Sequence, residues 1–328
     1  MSDPAAVNAS NDRALLLVGM MDGPRVAGVV RDLGLTPDMP VDPTLIDQTG
    51  AAVCVIDPDV LGADPFGALR EIVARVGTTP VVFLSGPCDR ERLSHLVGIR
   101  TLAAIVSRDH VASEGDLRHA LEAVASGPRF GWDATLAPGA AHAEWTVSGS
   151  AARDQCLDAL AAFAAEHGVR RRILRHVQDV ADELITNAVY DAPVDASGQR
   201  LFAALDRRSE IALDEPSQPT LRAVCDAAHV HIAVRDPFGS LGLETVRYYL
   251  AKGLRAGADQ IDDKAGGAGL GLTRVYESVD RMTVKVEAGV RTEICATLEL
   301  GGARGDMATR PAGLVLAAAG HRASGGEP

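Results

Sequence analysis

Gly266-Gly267-Ala268-Gly269-Leu270-Gly271-Leu272, running directly into Thr273-Arg274-Val275-Tyr276, is the stretch on which the reading of this chain turns. Glycines at close intervals leave backbone N–H groups uncovered, and the apolar residues that follow read as a helix whose positive end would meet a phosphate. The stretch therefore reads as a cradle for nucleotide phosphates. A glycine-rich loop alone is weak evidence, so its meaning depends on what surrounds it.

Upstream, the segment 170–190 carries Leu174, Val177, Ala181, Leu184 and Ala188 at spacings of three and four, the buried stripe of an amphipathic helix. Glu183 and Asn187 lie four apart and share a neighbouring face. A carboxylate and a carboxamide on a rigid helix suit a hydrated Mg²⁺ and an oriented water, because magnesium takes few protein oxygens and retains waters. Taken alone, the same pair reads more often as a solvated helix face. Beyond Pro193 an irregular stretch leads to strand-like runs at 220–224 and 229–234, the second ending at Asp236-Pro237-Phe238-Gly239-Ser240. A buried carboxylate there would accept a hydrogen bond from an adenine amino group, with a tight turn letting the ring approach; in isolation the pentapeptide is an Asp-Pro turn. A helix near 243–254, a polar loop at 255–264, the glycine stretch, and a hairpin of 281–287 with 291–300 complete the series.

This order resembles the Bergerat-fold, histidine-kinase-like ATPases, the superfamily of gyrase and the sensor histidine kinases. Asp182-Glu183-Leu184-Ile185-Thr186-Asn187-Ala188 looks like the family's N box. The resemblance implies ATP and Mg²⁺ as cofactors, Glu183 as the catalytic residue that activates water or polarises the metal site, and Asn187 as the Mg²⁺ ligand. It also implies Asp236 as the adenine reader beside Gly239, Gly267, Gly269, Leu270 and Gly271 around the phosphates, and Thr292 at the adenine end. The family's first glycine box reads Asp-x-Gly-x-Gly, whereas Phe238 and Ser240 stand at its glycine positions, and Tyr190 stands where many members carry a basic residue. His167 and His176 are the histidines ahead of or within the N-box helix, and neither lies in a dimerising hairpin of the sensor-kinase kind. The run 145–148, a helix at 151–167, the stop at Gly168 and the N-box helix are similar instead to the anti-sigma-factor serine kinases. These bind ATP and a protein partner, an anti-anti-sigma-like protein or another signalling protein.

The first half alternates strand-like runs at 14–18, 51–56, 81–84 and 102–106 with helical patterns, the signature of a doubly wound parallel sheet. Around Asp57-Pro58-Asp59-Val60-Leu61-Gly62-Ala63-Asp64-Pro65-Phe66 it resembles a bacterial receiver domain. Asp57 falls at the phospho-acceptor position, Ser85 at the hydroxyl switch and Arg108 roughly at the lysine. Gly19 and Met20 replace the acidic pair that would hold Mg²⁺ after the first strand. Phosphoryl transfer to a carboxylate needs that charge offset, and arginine is no free substitute for lysine. Asp57 thus reads either as an acyl-phosphate switch or, preferably, as a strand-end aspartate of a pseudo-receiver used as a protein-binding surface.

With 328 residues, 47% hydrophobic and 23% charged, the chain is long enough for two globular domains, and a net charge of −12 disfavours nucleic-acid and anionic-membrane partners. Five scattered cysteines fit a reducing cytoplasm rather than a disulfide framework. His110, His229 and His231 show no metal-ligand spacing. The expected plan is a flexible start (1–12), a receiver-like domain (13–127), a linker rich in Gly and Pro (128–143), a two-layer α/β-sandwich ATP-binding domain (144–300), and a flexible tail (301–328) whose apolar run near 314–319 would dock as a helical turn or two. The expected protein is a cytoplasmic bacterial signalling regulator: an anti-sigma-type serine/threonine kinase, a non-enzymatic ATP-dependent switch, or a phosphorelay component modified on Asp57. A homodimer is left open.

Overall fold

The computed structural model describes residues 12–40, 51–108, 113–131, 139–202, 204–255, 270–301 and 311–319. The protein is mixed α/β and divides into two compact units, residues 1–86 with 101–125, and residues 87–100 with 126–328.

The first unit contains β1 (Arg13–Leu17), α1 (Gly23–Asp32), β2 (Thr36–Asp38), β3 (Val53–Ile56), α2 (Pro65–Val76) and β4 (Val81–Ser85). After α3 (Arg90–Val97), which belongs to the second unit, it resumes with β5 (Leu102–Ser107) and α4 (Ser113–Ser126). Its strands pair in parallel in the order β2-β1-β3-β4-β5. The continuous burial of β3, β4 and β5 is what a parallel strand demands, and it explains why their apolar runs do not alternate. Local chemistry sets the helix starts: Asp64 Oδ1 accepts from Gly67 N at 2.9 Å ahead of Pro65, and Asp89 Oδ1 accepts from Arg92 N at 2.7 Å.

The second unit continues with β6 (Ala141–Thr146), α5 (Arg153–Glu166), α6 (Arg171–Thr186), β7 (Thr220–Cys225), β8 (His229–Asp236), α7 (Leu243–Arg255) and α8 (Leu270–Ser278). It closes with β9 (Arg281–Glu287), β10 (Arg291–Glu299) and β11 (Gly313–Ala318). Its sheet runs β11-β9-β10-β8-β7-β6, antiparallel throughout except for the parallel pair β11–β9. Helices α5, α6 and α8 pack on this sheet, α6 against β8 and β10. The buried face of α6 is wider than the expected stripe: Ile173 and Val180 join Val177, Ala181 and Leu184, while Leu174 is only half-buried.

One expectation is corrected. The run near 314–319 is a strand, not helical turns: Leu314, Val315 and Leu316 are buried, and β11 is paired along β9. Helix α3 packs on α7. Arg90 donates to the carbonyls of Gly253 (3.1 Å) and Leu254 (3.3 Å) at the end of α7, and its guanidinium pairs with Glu277 on α8. Arg90 thus ties α3 to the last described turn of α7 and, through Glu277, to α8.

Candidate functional site

The site lies where α6 meets the ends of β8 and β10. The last α-helical turn of α6 gives way at Asn187–Asp191 to a π-turn, a local widening that often marks functional positions. The widening rotates the chain so that Asn187, Ala188, Asp191 and Ala192 all line one cleft of about 590 Å³ of solvent-open space. Asp236, Ser240, Tyr249 and Arg200 complete its polar lining, and Leu184, Leu272 and Ile294 supply apolar walls.

Asp236 ends β8 and is only 6% exposed. Its Oδ1 accepts from Phe238 N (2.9 Å) and Gly239 N (3.2 Å), folding the chain into a tight turn that leaves the rest of the carboxylate at the back of the cleft. Burial pushes its pKa up to about 6, against the pull of those N–H groups and of nearby Thr292. Thr292 stands directly across on β10, and its buried Oγ1 completes no hydrogen bond of ordinary geometry among the described residues. A buried carboxylate beside an unfilled hydroxyl is a pair of groups arranged for a polar ligand edge. Gly239 makes the turn possible: its φ is +60°, and a methyl there would run into the backbone of Glu287, Gly289 and Arg291.

Glu183 faces the neighbouring side of α6. Its carboxylate pairs with Arg207 at 3.4 Å, and Arg207 also binds Asp191 at 2.9 Å. Gly271, at the start of α8, lies against Glu183 so closely that a β-carbon would overlap the carboxylate. Burial raises the pKa of Asp191, with Arg207 and Arg200 working against the rise. Arg207 belongs to the irregular stretch after Pro193, where no periodicity marks it, so sequence reasoning missed it; so too Asp191 and Arg200. Tyr190 does not face the cleft: it is buried and donates its hydroxyl to Ser209 O at 2.7 Å. Ser240, which replaces a glycine of the expected box, donates to Ala192 O at 2.7 Å and ties the turn to the π-turn.

Gly267 and Gly269 lie outside the described residues, as does most of the 255–264 loop; Leu270 is the first residue of α8. The structure thus brings Asn187 and Asp236 to one cleft, with Thr292 beside Asp236 and Gly271 against Glu183.

Asp57 follows β3 in the first unit and is 1% exposed. Its Oδ1 accepts from Asp59 N at 2.9 Å, and its Oδ2 is held by Arg108 at 2.7 Å, whose other nitrogen reaches Asp59 at 3.1 Å. Ser85 donates to Gly86 O, and Asp22, the nearest acid to the first strand's end, pairs with Arg25. The Arg108 guanidinium thus bridges the two carboxylates.

No protein-family model and no curated protein matches the chain. Among solved structures, NtrX from Brucella abortus in complex with ADP is similar over 35% of this chain and 26% of that chain, at 18% sequence identity and a TM-score of 0.29. Among the described residues, no helix is long and apolar enough to cross a membrane.

Proposed function

We propose that the second unit is a Bergerat-type ATP-binding domain and that the protein is a signalling regulator of anti-sigma kinase character. The observation that carries this reading is the cleft that joins Asn187 of the α6 π-turn to the buried Asp236, with the unfilled Thr292 hydroxyl beside it. A purine amino group is a donor that matches a carboxylate, and a ring nitrogen matches a hydroxyl. The apolar walls from Leu184, Leu272 and Ile294 suit a flat ring. Asn187 offers an amide oxygen to Mg²⁺ at the cleft mouth, a fit with a cation that keeps most of its waters. Bound Mg·ATP supplies a transferable phosphoryl group and charge neutralisation. This chain's residues bind the adenine, place the metal ligand, and through Glu183 orient a hydroxyl or water.

A second reading is favoured by Arg207. Its pairing with both Glu183 and Asp191 ties up the carboxylate that would do the orienting. In this reading ATP sets partner affinity by shifting a conformational population, without phosphoryl transfer.

Calorimetric titration with Mg·ATP tests the shared core. Sub-millimolar binding that weakens at least about tenfold in Asp236→Asn is expected, since a hydrogen bond to a charged group is worth about 1.5–3 kcal/mol. Undiminished binding in that variant would overturn the adenine assignment. Radiolabelled ATP with the co-purifying partner then separates the two readings: label on a partner serine supports the kinase, and ATP-dependent complex formation without label supports the switch.

A further inference from the structure

β8 carries chemistry at both ends. Asp236 closes one; at the other, the β7–β8 turn brings Asp226, His229 and His231 together, with one ligand atom from each lying within 4.8 Å of the others. We propose that Asp226, His229 and His231 form a binding site for a first-row divalent transition ion of the zinc type, independent of the nucleotide cleft.

The spacings carry the argument. His229 Nδ1 lies 3.4 Å from Asp226 Oδ1, and His231 Nε2 lies 3.5 Å from Asp226 Oδ2. Both are long for hydrogen bonds, which cluster at about 2.7–3.2 Å. Two ligand atoms each 2.0–2.1 Å from a tetrahedral zinc ion, however, stand about 3.4 Å apart, a spacing that each histidine shows to a different oxygen of the Asp226 carboxylate. The histidines alternate along β8 and so share a face of the sheet, with ring centroids 5.5 Å apart.

The outer contacts orient the ligands. Asp226 Oδ1 is pinned by Ala228 N and His229 N, both at 2.7 Å. That turn contact fixes Oδ1, and Oδ2 is turned toward His231. His231 Nδ1 meets Thr297 Oγ1 at 3.0 Å; the tautomer that donates this proton keeps the Nε2 lone pair for an ion, the usual outer-shell device of metal-bound histidine. Arg281 opposes a cation, but it lies one strand further on, reaching Thr297 Oγ1 at 3.5 Å. His231 is buried while His229 and Asp226 are partly exposed, so the site opens to solvent on one side and has room for a water as fourth ligand. A scan for Cys/His spacings passes over this site because its third ligand is an aspartate in a turn.

The full-length chain, stripped with chelator, is titrated with Zn²⁺ and separately with Co²⁺. One Zn²⁺ per chain is expected, with cobalt giving visible d–d bands and no thiolate-to-cobalt charge-transfer band. His229→Gln and Asp226→Asn, both at partly exposed positions, should each weaken Zn²⁺ binding by about tenfold or more, and Thr297→Val should weaken it with the ligands intact. Absence of saturable binding, affinity unchanged in both ligand variants, or a thiolate band would overturn the site. Should a variant fail to fold, the cobalt spectrum and stoichiometry of the unaltered protein still decide.

Discussion

Asp236 holds a charge where water barely reaches. Its pKa is raised by burial to about 6, so between the unfolded carboxylate value near 3.9 and that raised value the folded state holds the proton more tightly than the unfolded chain. Stability therefore falls as pH rises through this window, and above it the ionised group costs roughly 3 kcal/mol. Asn at this position keeps an oxygen for Phe238 N and Gly239 N without the charge. Asp236→Asn is thus expected to stabilise the unliganded protein at pH 7 by up to about 3 kcal/mol, and to lose that advantage below about pH 4, as followed by urea unfolding at several pH values. A variant more stable yet weaker in ATP binding would mark Asp236 as kept for its ligand. At the same scale, Arg207 pairs with both Glu183 and Asp191 from a segment with no pattern to read; residue identity alone could not reveal it.

Among the elements, the turn after β8 and the turn between β9 and β10 give a matched pair of glycines. Gly239 and Gly289 both have positive φ, but a methyl at Gly289 would meet open space, whereas one at Gly239 would meet backbone atoms that cannot swing aside. Gly289→Ala should cost about 1–2 kcal/mol for the left-handed conformation alone, and Gly239→Ala at least about 1 kcal/mol more for the overlap, measured as chemical denaturation midpoints. Strand β11 yields a second test. Leu314, Val315 and Leu316 are buried, and each such side chain contributes about 1.5–3 kcal/mol, so ending the chain after residue 310 should lower stability by several kcal/mol and expose the edge of β9. These elements also show what the sequence made legible. Strands β1, β3, β4, β5 and β7–β10 announced themselves through apolar or alternating runs, unlike β2, β6 and β11, and α6 through its stripe, because burial and periodicity are local. In contrast, α3 reads Arg90-Glu91-Arg92-Leu93-Ser94-His95-Leu96-Val97, too short and polar to signal. The Leu314–Ala317 run could be assigned only as apolar: whether it becomes helix or strand depends on the free edge of β9, which no neighbouring residue encodes. That Asn187 and Asp236 line one cleft follows from motifs that are each contiguous in sequence, whereas the approach of Asp226 to the two histidines arises only from the hairpin.

For the molecule as a whole, the first unit orders its strands β2-β1-β3-β4-β5, and the carboxylate of Asp57 is closed off by the Arg108 guanidinium. Incubation with acetyl phosphate and Mg²⁺ is expected to leave Asp57 unlabelled by mass spectrometry, since the Arg108 guanidinium already occupies the carboxylate; stoichiometric acyl phosphate there would reverse that view. The second unit's own residues arrive in two instalments. Residues 87–100 are made long before residues 126–328. At ribosomal speeds of about 5–20 residues per second, α3 leaves the exit tunnel on the order of ten seconds before the α7 carbonyls to which Arg90 donates. During synthesis this helix is a nascent segment waiting for its acceptor, and a gene fusion or crossover placed anywhere between the two instalments would deliver a second unit whose α7 and α8 lack the Arg90 contacts.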